Sequence, residues 1–69
     1  MVQIFRTNIQ EVDVANEMIQ KLLQHFPTYL INFDLEDCDN ILRVKGSNIS
    51  LEKIISLLHK NGYECDVLD

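Results

Sequence analysis

Cys38 lies between two carboxylates, Asp37 and Asp39, and His59 follows on a later segment. A thiolate, an imidazole and a carboxylate such as that of Asp37 are donors that Zn(II) accepts. No closely spaced pair of ligands, the usual sequence mark of a metal site, stands behind this set. The flanking acids also oppose the negative charge Cys38 would need as a ligand or nucleophile. The plain reading is a surface cysteine in a polar turn. Cys65 alternates in step with Tyr63 and Val67, which predicts a small buried residue. His25 and His59 each close a helical stretch, where a cation interacts favourably with the helix dipole.

No set for covalent or acid-base chemistry is present. Ser47, Ser50 and Ser56 have no histidine placed to activate them, and Gly46 and Gly62 make no phosphate-binding loop. The paired carboxylates fall in one exposed turn, where nothing buries one of them as a proton donor. The expectation is a chain that is not an enzyme and carries no cofactor.

The totals narrow the classes further. Sixty-nine residues, 46% apolar and 25% charged, suit one small folded domain over residues 1–69. Eleven acids against six bases give a net charge of −5, the wrong sign for a nucleic-acid binder and for adhesion to an anionic membrane. No export signal and no apolar run of membrane-spanning length is visible, so a cytoplasmic location with reduced thiols is the expectation.

These residues must be positioned by elements that the apolar periods predict. Val2, Ile4 and Arg6 alternate with Gln3, Phe5 and Thr7, which predicts a strand. Asn8 and Glu11 fit a capping box, with Asp13 a second possible cap, for a helix reaching about Phe26. Its stripe is Ala15, Met18, Ile19, Leu22, Leu23 and Phe26, and Pro27 ends it. Tyr29, Ile31, Phe33 and Leu35 predict a second strand, and Leu42 and Val44 a third, joined by the Glu36–Asn40 turn as a hairpin. Ser50 is placed to cap a second helix with Leu51, Ile54, Ile55 and Leu58 inward, and Gly62 to end it in a left-handed conformation. Tyr63, Cys65 and Val67 predict a fourth strand. The order βαββαβ points to an α+β, ferredoxin-like sandwich: a four-stranded antiparallel sheet in the order 4-1-3-2 with two helices on one face.

That topology gathers three loops at one end: the first strand-to-helix turn, the hairpin and the Lys60–Gly62 turn. Glu36, Asp37 and Asp39 join Glu11 and Asp13 there in an acidic pole, read as a docking surface for a basic protein, a weak calcium site or a solvated turn. Phe5, Leu30, Ile41 and Leu68 are assigned to the open sheet face among Gln3, Asn32, Arg43 and Lys45, a possible homodimer or partner surface. A single aromatic, Phe5, is poor support for base stacking on that face. The two or three strand spacings expected between them argue against a Cys38–Cys65 bridge.

Ser50-Leu51-Glu52-Lys53-Ile54, Leu58 and Gly62-Tyr63 resemble the second helix and following turn of heavy-metal-associated domains, the copper-chaperone type. Ile31-Asn32-Phe33-Asp34 is similar to that family's second strand, and Ile19 and Leu23 stand at its offsets after Ala15, so the likeness spans nearly the whole chain. The resemblance implies the same fold and places the family's metal turn at Val12 and Ala15, with Gln10 where it has methionine. Valine and alanine supply no donor to Cu(I) or Zn(II). The expectation is therefore a non-enzymatic interaction module that has lost its metal cysteines. The alternatives are a metal-handling protein with a displaced Cu(I) or Zn(II) site at Cys38, His59 and Asp37, or an ACT-type regulatory domain, which shares the topology.

Overall fold

Each apolar period becomes an element. The computed structural model describes residues 1–68 and runs β1 (Val2–Thr7), α1 (Val12–His25), β2 (Leu30–Asp34), β3 (Ile41–Lys45), α2 (Leu51–Lys60), β4 (Cys65–Val67). All pairings are antiparallel, and the strands lie in the order β2-β3-β1-β4, which read from the opposite edge is 4-1-3-2. Ala15, Met18 and Leu22 of α1 and Ile54 and Leu58 of α2 share one core with Phe5, Leu42, Val44 and Cys65, so both helices cover the same sheet face. Among the described residues, no helix is long and apolar enough to cross a membrane.

The face of β1 is the reverse of the expected one. Phe5 is fully buried, opposite Leu42 on β3 and Val67 on β4, whereas Val2 is half exposed on the open face. In β1 both alternating sets hold apolar residues, so the period alone does not choose between them. The larger area of a buried phenyl ring decides it, and a one-residue slip turns every side chain over. Phe5 is thus a core residue and no part of an interaction surface. Ile41 keeps its open-face register between Arg6 and Asp34 but is only 6% exposed. Leu30 is 67% exposed as expected, and Leu68 is half-buried.

The helix ends also depart from simple capping. Glu11 is the N-cap of α1 and Ser50 that of α2, and neither side chain caps its helix. The Asn8 side chain is committed elsewhere, its Oδ1 accepting the Glu64 N–H at 2.9 Å, and the Ser50 backbone N–H donates to the Tyr29 hydroxyl at 3.2 Å. The C-terminus of α2 matches its expectation. Gly62 has φ +89°, its N–H bonds the His59 carbonyl, and the Tyr63 N–H bonds Leu58 O, the paired bonds of a Schellman motif. Tyr63 therefore belongs to this turn, which leaves β4 shorter than its alternation predicts. Lys21 Nζ donates to Asn61 Oδ1 at 2.6 Å and fastens α1 to that turn.

At the far end Tyr29 does the joining. Its ring stacks on Phe26 with centroids 4.7 Å apart, and its hydroxyl donates to Asn48 O at 3.1 Å. A Cβ on Gly46 would fall 2.8 Å from this ring, so a larger residue there must displace the tyrosine or the strand end.

Candidate functional site

The loop end is organised by Thr7, the one buried polar residue among those described. Its N–H donates to Asp39 O at 3.1 Å, its hydroxyl donates to Asn40 O at 2.7 Å, and Oγ1 accepts the Ile9 N–H at 3.2 Å. With the Asn8–Glu64 bond, these contacts hold the β1–α1 loop, the hairpin and the turn before β4 together. Ile9, in that loop, is 1% exposed and anchors it in the core.

On this frame Glu11, Asp13, Glu36 and Asp37 are exposed and Asp39 is half-buried. Asp13 lies in the first turn of α1, where a carboxylate meets the positive end of the helix dipole. Two hairpin acids serve the turn itself: Asp34 Oδ1 accepts the Glu36 N–H at 3.2 Å and Asp37 Oδ1 the Asp39 N–H at 2.9 Å. Asn40, with φ 49°, closes the hairpin through its N–H to Asp37 O. Ligand atoms of Asp37, Cys38 and Asp39 lie within 4.8 Å of one another; His59, exposed on α2, is not in this group.

The two cysteines have opposite surroundings. Cys38 is exposed, whereas Cys65 is fully buried, and burial first and the neighbouring Asp66 carboxylate second push its thiol up to about 12. A group held so firmly protonated is neither ligand nor nucleophile at neutral pH. Among the described residues no buried side-chain polar atom lacks a partner.

A groove of about 560 Å³ runs between the N-terminal half of α1 and the C-terminal half of β2. Val12, Ala15 and Ile19 line it from the helix, Phe33 from the strand and Leu35 from just beyond it, and Asp34, Glu36 and Arg43 supply its charges. Val12 is 64% exposed at its mouth. The sequence placed β2 at the edge of the sheet but offered no direct signal for this groove, because the space between α1 and that edge is set by side-chain packing. A second hollow of about 440 Å³ lies between the helices, with Phe26 and Leu57 as its apolar lining and Lys53 and Lys60 beside it.

Comparison with family models, with curated proteins and with solved structures finds no match to this chain.

Proposed function

We propose that this chain is a non-enzymatic protein-interaction module: a ferredoxin-like domain of the heavy-metal-associated type whose metal turn has become an apolar surface. The element order, the strand order and the two helices on one face support the fold reading. The observation that carries the functional reading is the turn at the start of α1. Val12 and Ala15 stand where that family has its two cysteines, and they line an open groove as apolar side chains. Such a surface offers contacts to another chain and no electron pair to a metal. The acidic pole beside it favours a basic partner.

A second reading is a displaced metal site, favoured by the closeness of the Asp37, Cys38 and Asp39 donors. Three donors on consecutive residues, two of them exposed and one carboxylate oxygen already accepting a backbone N–H, leave the cation mostly in water. The test is zinc and Cu(I) titration of the reduced protein beside Cys38→Ser. Weak binding that the substitution leaves unchanged supports the interaction module. Tight one-to-one binding abolished by Cys38→Ser overturns it in favour of the metal reading.

A further inference from the structure

We infer that the outer edge of β2 is a β-augmentation site: it takes an extended segment of another protein as a fifth strand, with alternate apolar side chains laid into the groove beside α1. The assignment rests on the interaction-module reading and gives it a place and a partner chemistry.

The backbone supplies the first part of the argument. An antiparallel ladder alternates the side to which residues turn their N–H and C=O groups. The Gly46 N–H bond to Met1 O, 3.0 Å, and the Leu68 N–H bond to Ile4 O, 2.9 Å, fix the phase. Val44 and Leu42 then turn toward β1, and Arg43 and Lys45 toward β2. Within β2, Leu30, Asn32 and Asp34 pair with β3, so Ile31 and Phe33 turn their backbone groups outward. β2 is an end strand of the sheet, and it carries neither proline nor lysine, the residues that blunt an edge. A row of free backbone groups of this kind is matched by another strand.

The side chains supply the second part. Ile31 and Phe33 face the helices, yet each is only half-buried, while their neighbours across the ladder, Val44 and Leu42, are fully buried. The core therefore runs out unfinished at β2, and the groove lies along that unfinished margin. In a paired strand, residues opposite Ile31 and Phe33 point to the same face as they do. The side chain opposite Phe33 would enter the space bounded by Ala15, Ile19 and Phe33, and the one opposite Ile31 would cover that half-buried residue. Charge completes the description of the occupant. Asp34 and Glu36 line the groove, and the acidic pole continues beyond them, against Arg43 alone. The fitting partner is an extended segment with apolar residues at every second position and lysine or arginine at the end lying against the hairpin.

The test is selection from a random peptide library on the full chain, then residue-by-residue amide exchange with the strongest binder. Enriched peptides should alternate apolar residues and carry lysine or arginine. With peptide at about ten times its Kd, exchange at Ile31 and Phe33 should slow about tenfold, because opening then requires its release. The same peptide N-methylated at the amides facing β2 should not bind, and Glu36→Lys should weaken binding about two- to fivefold, the range of one exposed charge pair. Peptides that bind the open sheet face or the hairpin overturn the edge site and leave the interaction module standing. A library that yields no binder, or an N-methylated peptide that binds equally well, overturns the edge site. A dimer with Ile31 and Phe33 already protected overturns it in favour of a second copy of this chain.

Discussion

Replacing Gly46 with alanine tests how the end of the sheet opposite the acidic pole is built. The added Cβ would stand 2.8 Å from Tyr29 Cδ1 and 3.3 Å from Cε1. The ring has little room to retreat. It lies nearly parallel to Phe26 at 4.7 Å, and its hydroxyl both donates to Asn48 O and accepts the Ser50 N–H. Overpacking of this kind costs about 1–3 kcal/mol. Gly46 is not at positive φ, so alanine also restricts the unfolded chain, a gain of about 0.4–1 kcal/mol. The net expectation is a loss of about 1–2 kcal/mol, a fall in Tm of roughly 4–16 °C for a domain this small. Thermal and urea unfolding followed by circular dichroism measure it. An unchanged or raised midpoint would refute the reasoning. A second comparison isolates the cause: in a Tyr29→Val background, kept folded with a stabilising osmolyte, Gly46→Ala should become neutral or stabilising. A cost that persists there would mean that the ring is not what alanine meets.

Phe5→Ala should cost about 3–5 kcal/mol as a buried ring lost from the core, whereas Leu30→Ala, at an exposed position on β2, should stay within about 0.5 kcal/mol; urea midpoints of the two variants separate the core residue from the exposed one. Thr7→Val should cost about 1–3 kcal/mol, because the Ile9 N–H loses its buried acceptor and the Asn40 carbonyl loses a donor. Its amide-exchange signature should be faster exchange confined to the loop end. The Cys65 thiol ionises near 9.0 when unfolded and near 12 when folded, so the protonated thiol's stabilising effect is complete below about pH 9. It should be lost between those values by at most about 1.4 kcal/mol per pH unit, and Cys65→Ala should flatten that part of the stability curve. A thiol reagent should label Cys38 in the folded protein and Cys65 only on unfolding.

Much of the architecture was legible because it depends on period and on single decisive residues. The stripes of α1 and α2, the hairpin around Asp37–Asn40 and the left-handed Gly62 are local features, and local pattern specifies them. The face of β1 was not legible, because Val2 and Ile4 compete with Phe5 and only the packed neighbours choose. The caps were misjudged for a related reason. Asn8 has the right chemistry for a helix N-terminus, but its side chain is bonded to the Glu64 N–H, 56 residues away; Ser50 holds the N-cap position of α2 without a side-chain bond to the helix. Ile9, in the first strand-to-helix loop and outside both apolar periods, is a core anchor. Of the candidate site, the acidic pole was visible from the βαββαβ order alone. The groove along β2 was not: the expected strand order put β2 at an edge, but whether α1 leaves a space beside it is set by packing and not by period.

The central claim is that the start of α1, with Val12 exposed and Ala15 at the floor of the groove, is an apolar contact surface and that this chain acts through protein contacts and not through a bound metal. Native mass spectrometry of the reduced protein with Cu(I) or Zn(II), under competition from a chelator, tests it most directly. The account predicts a metal-free mass throughout. A stoichiometric metal adduct that survives the chelator would contradict it.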